Sequence, residues 1–408
     1  MADDKMNEDL KQNDSKNFST SEAIILVLVS LLVGLSIGLL YNNKNVNTKN
    51  EEPKDEHIEE FIHNYNYVLN NYYEEIDEQK LVDSAIAGMM ESLDEYSTYI
   101  DETSLNNFSI TLDGSYKGLG IQIAKDSENN YILITGVFKD SPAFESGLEV
   151  GDYVVSIDGK DVTDLTAAEF SSMVQESQKD NFKLKVLRNK EELEINITKR
   201  IIDITSVTSE TYEEGDKKIG YIYIGIFANN TFKQFKEELQ KLEDENINYL
   251  IIDVRSNTGG HLTSVDGMLD LFLNKDQIMY QFEQNGKKTP TYGTGNENIT
   301  YEIVLLGDEA SASASEVLIA GLKENFNCKL FGKKTFGKGT VQELRTLSDG
   351  TQYKITIKKW LTPKGNWINE TEGIVPDVEV ELDDKYFETL DSSDDTQLKA
   401  VLDYIKSK

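Results

Sequence analysis

Residues Ser141–Val162 read SPAFESGLEVGDYVVSIDGKDV, and this run decides the architecture of the middle of the chain. Ser141-Pro142-Ala143 opens a short helix that stops near Gly147. Tyr153–Ile157 is an aromatic and β-branched run and reads as a strand. Asp158-Gly159 after it is a tight-turn signal. Toward the N-terminus, Gly118-Leu119-Gly120 leads into the alternating Ile121-Gln122-Ile123, and Tyr131–Val137 is a further strand. Toward the C-terminus, Ala167–Gln178 reads as a second helix and Phe182–Arg188 as a closing strand.

Tyr116–Ile123 (YKGLGIQI), the Ser141–Val162 run and Phe182–Arg188 (FKLKVLR) together resemble a PDZ domain, which sets its span at 113–200. That resemblance implies β-augmentation. A peptide adds as a strand beside Ile121 and Ile123, and backbone N–H groups of Gly118, Leu119 and Gly120 hold its terminal carboxylate. Taken alone, the glycines would be read only as a hairpin turn.

From Lys218 to Leu382 the texture changes to strands alternating with helices, which argues an α/β layer architecture. Tyr249–Val254 is apolar enough for a buried strand. Thr340–Leu344 and Gln352–Leu361 alternate as antiparallel strands, and Thr396–Ile405 reads as a short amphipathic helix.

Three segments of this region could carry chemistry. Gly307–Glu316 (GDEASASASE) lies between a strand and a helix, and its small residues leave a hydroxyl open to a bulky substrate. Ser313-x-x-Glu316 equally matches a capping box, and the two readings are compatible because a helix N-terminus also offers N–H groups to an oxyanion. In Thr335–Gln342 (TFGKGTVQ), Lys338 sits between two glycines. It is either a solvated turn lysine or, if buried without a counter-ion, a general base with a lowered pKa. Gly332–Lys338 also fits the start of a phosphate loop, but Gly339 stands where Ser or Thr should hold magnesium, and a strand follows in place of a helix. Asp253–Gly260 (DVRSNTGG) is either an anion-binding nest or a plain strand-to-helix turn.

Taken in chain order, Asp253–Gly260, Gly307–Glu316 and then Thr335–Gln342, the three segments resemble the carboxyl-terminal processing proteases, the tail-specific Ser-Lys peptidases. Ser92–Tyr99 (SLDEYSTY) before the PDZ-like region, Thr362-Pro363-x-Gly365 and Gly373–Asp377 (GIVPD) match the same family. The resemblance implies that Ser313 is the nucleophile, Lys338 its general base and Gln342 the residue that orients the amine. It implies oxyanion donors at Ala314 and at Gly259 or Gly260. Two departures stand out: Ser256-Asn257-Thr258-Gly259-Gly260 lacks the proline usual in that turn, and Glu324, on the helix after Ser313, is given no catalytic role. The expected function is a membrane-anchored serine endopeptidase that recognises substrate C-termini. The alternative is a non-catalytic PDZ module on a degenerate protease fold, against which the intact Ser, Lys and Gln argue.

Composition agrees with a Ser-Lys enzyme that needs no cofactor. The chain has 1 Cys and 3 His, so intrachain disulfides and multi-cysteine zinc sites are excluded and no metal is expected. A Ser-His-Asp arrangement would have to use His261. With 408 residues, 38% hydrophobic, 28% charged and only 5 Pro, the chain has the texture of a folded protein of two to three domains of roughly 150 residues. The formal net charge of −32 repels phosphate backbones and argues against nucleic acid as a partner.

The N-terminal part completes the expected order. A polar tail spans 1–22. Ala23–Leu40 (AIILVLVSLLVGLSIGLL) is long enough to span a bilayer, which sets a transmembrane anchor at 23–41 with the lipid bilayer as a partner. A cleaved signal peptide is the competing reading, but Tyr41-Asn42-Asn43 is no small-residue cleavage site. Lys5, Lys11 and Lys16 before the span balance Lys44, Lys49 and Lys54 after it, so orientation is undecided by charge. An extracytoplasmic catalytic part follows only from the resemblance. A linker covers 42–58 and a helical arm 59–112, through which the resemblance implies a homodimer. The peptidase core spans 201–385 and a C-terminal helical tail 386–408. The expected fold class is thus α/β plus β-rich: a single transmembrane helix, a helical arm, and a PDZ domain ahead of an α/β Ser-Lys protease core with antiparallel strands.

Overall fold

The structure is a computed structural model that describes residues 55–100, 112–126, 129–295, 299–347, 352–389 and 391–408. The chain divides into two compact units, Met1–Val82 and Asp83–Lys408.

In the first unit, Asp55 opens the helix Glu56–Asn71 by accepting the His57 N–H at 3.0 Å. This helix buries none of its residues. A second helix, Glu78–Glu91, runs past the division and buries Met90. Among the described residues, the helical arm expected over 59–112 holds most of the first helix, the second helix and the strand Thr98–Ile100.

No helix among the described residues is long and apolar enough to cross a membrane. Spanning takes about 20 apolar residues, whereas Glu56–Asn71 has 16 and carries Glu56 and Glu59 in its first turn. The fold with a single transmembrane helix, the lipid bilayer as partner and the single-pass cell-membrane location are corrected accordingly. Ala23–Leu40, on which all three rested, lies outside the described residues.

The second unit is built on a six-stranded sheet ordered Val207–Glu214, Lys217–Ile224, Tyr249–Asp253, Glu302–Gly307, Lys329–Gly332, Val378–Glu379. The first pair is antiparallel and the rest are parallel. Alternate side chains serve two cores. Ile222, Leu250, Ile252, Ile303 and Leu305 face the helices Thr231–Asp244, Leu262–Asp270 and Ala314–Phe326. Ile219, Ile251, Val304 and Phe331 face Leu398, Val401 and Ile405 of the C-terminal helix Thr396–Lys406. Covering on both faces explains why Tyr249–Asp253 is buried at every residue.

A second, antiparallel sheet joins Thr98–Ile100, Gln352–Leu361, Ile278–Gln284 and Lys287–Tyr292, with Thr340–Thr346 also on Gln352–Leu361. The PDZ-like region forms its own sheet, ordered Ile121–Lys125, Ile132–Val137, Tyr153–Ile157, Asn181–Arg188, Glu191–Thr198. Ile132, Ile134, Val154, Leu184 and Phe170 fill its core. Among the described residues, Ile121–Lys125 pairs only with Ile132–Val137, so it is an edge strand.

Candidate active site

Three adjacent parallel strands end side by side at Asp253, Gly307 and Gly332. The segments singled out in the sequence leave from these carboxyl ends, where open α/β sheets place their ligands.

Ser313 stands at φ 54°, ψ −112°, immediately before the helix Ala314–Phe326. A non-glycine residue held there stores on the order of 1–3 kcal/mol of strain unless its surroundings impose the conformation. Here its neighbours are tied down. Ser311 Oγ donates to the Val254 carbonyl at 2.8 Å, Ala312 N–H to the Asn257 carbonyl at 3.1 Å, and Ser315 Oγ to that same carbonyl at 2.8 Å. Ser311 and Ser315 are fully buried, while Ser313 keeps part of its surface exposed. Of the three serines in SASAS, the middle one is the hydroxyl a substrate can reach.

Glu316 is completely buried and accepts four hydrogen bonds. They come from Ser313 N–H (2.8 Å), Thr335 Oγ1 (2.6 Å), Gly337 N–H (2.7 Å) and Lys338 N–H (2.9 Å). Burial pushes its carboxyl up, and the four donors oppose that push. The first bond is half of the capping box. The other three extend the glutamate beyond a cap, because they fasten the serine turn to the loop that carries Lys338.

Lys338 is held through its backbone. Trp360 Nε1 donates to its carbonyl at 2.8 Å, and Trp367 Nε1 to that of Gly339 at 2.8 Å. Both flanking glycines are required sterically: a Cβ on Gly337 would press on the Glu372–Gly373 backbone, and one on Gly339 would collide with Asn369 and Trp367. The Lys338 amine lies 4.8 Å from the centre of the Tyr96 ring. Burial, and then the nearby charge of Lys354, lower its pKa from the ordinary 10.5. Among the described residues, no hydrogen bond joins this amine to Ser313 or Gln342. Gln342 Nε2 donates instead to Thr340 Oγ1 (2.9 Å) and Thr356 Oγ1 (3.1 Å).

Gly259, at φ +105°, lies against the Ser313 turn: a Cβ there would sit 3.0 Å from Ser313 Cβ and 3.2 Å from the Ala314 nitrogen. Its N–H donates to Asn257 Oδ1 at 2.9 Å. Among the described residues, the N–H groups of Gly260 and Ala314 have no protein acceptor. Gly260, at φ +137°, packs on the Phe227 carbonyl too closely for any side chain. His261 precedes the helix Leu262–Asp270 and its Nε2 is buried without a hydrogen-bond partner; among the described residues no hydrogen bond joins it to Ser313.

In the PDZ-like region, Gly118 ends the strand Ser115–Gly118, which pairs with Arg200–Asp203 in a separate two-stranded sheet, and Leu119 is buried. Gly120 has φ +84°, and a Cβ on it would collide with Ser141. The Leu119 carbonyl accepts Ala143 N–H at 2.9 Å, and that of Gly120 accepts Phe138 N–H at 3.0 Å. Ile121 and Ile123 lie on the edge strand with their side chains packed on the PDZ core.

Sequence reasoning missed several contributors. Asn257, Thr335 and Asp94 are buried or half-buried polar residues that organise loops, and no spacing rule marks such residues. Glu316 was visible, but only as a cap.

Family models match along the chain: a CtpB-type activating-protease N-terminal domain over residues 37–104, a PDZ domain over 118–198 and peptidase family S41 over 218–380. The class is thus a serine-type peptidase carrying a PDZ domain. Carboxy-terminal processing protease CtpB of Bacillus subtilis (strain 168) is 35% identical over 341 residues, covering 83% of this chain and 70% of its own length. CtpA of the same organism is 33% identical and covers 88% of this chain and 77% of its own. Among solved structures, a photosystem II D1 C-terminal processing protease aligns with a TM-score of 0.46 and 23% identity, over 78% of this chain and 86% of that one. The chain belongs to the carboxy-terminal processing proteases of peptidase family S41.

Proposed function

We propose that this chain is an endopeptidase in which residues 113–200 capture a polypeptide C-terminus and residues 201–385 cleave the chain with Ser313 and Lys338. The observation that carries the reading is the arrangement at Ser313: a partly exposed serine at positive φ, at a helix N-terminus, fastened by Glu316 to the loop of a desolvated lysine.

In this reading, Lys338 in its neutral form takes the Ser313 hydroxyl proton as Oγ bonds to the scissile carbonyl carbon. The N–H groups of Ala314 and Gly260 stabilise the resulting oxyanion, and Gly260 is preferred to Gly259 because the Gly259 N–H is already engaged. The Lys338 ammonium then gives its proton to the leaving amine. Water attacks the acyl-enzyme with the same lysine as base. Gln342 acts through Thr356 and strand geometry in the arrangement described, and orienting the amine would require it to exchange that partner. Captured substrate adds as a strand beside Ile121 and Ile123, with its carboxylate at the Gly118–Gly120 turn. The helix Glu56–Asn71, which buries none of its residues, is the surface on which pairing of two copies would rest.

The test is cleavage of an unstructured peptide by the full chain. Ser313→Ala and Lys338→Ala should each abolish turnover and labelling by a serine-acylating probe, while leaving peptide binding intact. Turnover by Ser313→Ala at the parent rate would refute the assignment. Peptide binding by the parent with neither labelling nor cleavage would favour a non-catalytic binding module.

A further inference from the structure

The lysine amine faces an aromatic ring contributed from outside the sheet ends that build the site. Tyr96 belongs to the short segment between the helix Glu78–Glu91 and the strand Thr98–Ile100. Its ring centre is 4.8 Å from Lys338 Nζ, inside the roughly 6 Å range of cation–π attraction.

That ring is fixed in place. The Asp94 carboxylate accepts Tyr96 N–H at 2.8 Å, Ser97 N–H at 2.8 Å, Ser97 Oγ at 3.2 Å and Thr356 Oγ1 at 3.2 Å. Thr356 N–H donates in turn to Ser97 Oγ at 3.1 Å. Immediately afterwards Thr98 pairs with Lys354 in the antiparallel sheet. The segment is thus locked to the strand Gln352–Leu361, whose Thr356 also receives the Gln342 amide. The ionisable groups facing the amine from these elements are Asp94, Glu95, Glu316 and Lys354, the first three attractive to an ammonium and the last repulsive.

We infer that Tyr96 is a positioning residue for Lys338: the face of its ring seats the ammonium form of the lysine and holds the amine off Ser313 until its proton is lost. This rests on Lys338 being the general base. The physical reason is that a ring quadrupole attracts the charged amine and gains nothing from the neutral one. The seat therefore resists proton loss, and a neutral amine is no longer held there. A merely structural tyrosine would fill the same space without distinguishing the two protonation states.

The experiment separates the seat from the base. In full-length Ser313→Ala protein carrying 13Cε-labelled lysine, the Lys338 resonance is titrated with pH, with and without a change at Tyr96. Tyr96→Leu, which keeps apolar bulk and removes the ring, should lower the midpoint by about half to one pH unit. Tyr96→Phe, which keeps the ring, should leave it in place. Tyr96→Met repeats the test should the leucine variant lose its fold. Equal midpoints for Tyr, Phe, Leu and Met would overturn the inference. In protein with Ser313 intact, the acid limb of kcat/KM should move with the midpoint. A midpoint that moves while the limb stays would support the seat and refute Lys338 as the base.

Discussion

A serine hydroxyl is a weak nucleophile at neutral pH, so under the proposed Ser313–Lys338 chemistry the surroundings of Ser313 matter through whether they deliver a neutral amine to the right place. Two residues act on this by different means. Lys354 contributes charge: it disfavours the Lys338 ammonium, and with burial it holds the amine below the ordinary 10.5. Activity should therefore rise with pH through a midpoint below that value. Lys354→Met removes the repulsion, stabilises the ammonium and should move the acid limb of kcat/KM to higher pH. An unmoved limb would show that burial alone sets the amine. Glu316 contributes position. Glu316→Ala strands four donors at the joint between the serine turn and the lysine loop, each costing about 1–3 kcal/mol if it stays unpaired. Because displacements near 1 Å can lower rates about 100-fold, kcat should fall by at least that much. Peptide affinity, read by titration calorimetry, should stay at the parent value.

Among the elements, the C-terminal helix Thr396–Lys406 and its cap Asp395 brace the turn that leads to Gly259 and Gly260. Arg255, buried in that turn, donates to Asp253 (2.6 Å), Asp395 (2.7 Å) and Gln397 (3.0 Å). Asp395 also caps the helix by accepting Leu398 N–H at 2.9 Å. Asp395→Ala leaves a buried guanidinium short of a partner and should cost about 3–5 kcal/mol in denaturant unfolding. A loss below 1 kcal/mol would mean that Asp253 alone satisfies the arginine. Nothing in the sequence announced this brace, because its partners lie far apart in the chain and no local pattern joins them. The strands and helices of the core were legible, since their apolar runs are long and regular. The helix Glu78–Glu91 was less so. Its apolar series Leu81, Ala85, Met89 turns by about 40° per four-residue step, so it leaves any single face. Met90 is buried, while Met89 and Leu93 are exposed. At the site, short motifs with little sequence freedom single out Ser313, Lys338 and Gln342 as candidates. The glutamate hub and the Tyr96 seat were not, since both depend on which loops the sheet brings together.

At the scale of the whole second unit, the PDZ-like region enters the core beside the catalytic turn. The Gly114 carbonyl accepts Asn230 Nδ2 at 2.6 Å and Ile204 N–H at 2.8 Å, and a Cβ on Gly114 would collide with Ala228 and Asn230. Next to Ala228, Phe227 donates its N–H to the Gly259 carbonyl at 3.0 Å. Two residues therefore separate the base of the capture region from a glycine that touches Ser313. The capture edge itself, Ile121–Lys125, lies on a separate sheet with its own core. This division predicts what a substrate's terminal carboxylate does. Under the proposed capture at the Gly118–Gly120 turn, binding would add affinity remote from the scissile bond, and such uniform binding lowers KM without changing the chemical step. Amidating the C-terminus of a peptide substrate should raise KM about tenfold, the effect of roughly 1.4 kcal/mol, with kcat unchanged. If kcat falls together with kcat/KM, capture is coupled to the Gly259 turn through Gly114 and Phe227. Gly114→Ala should then reproduce that fall with a free carboxylate present.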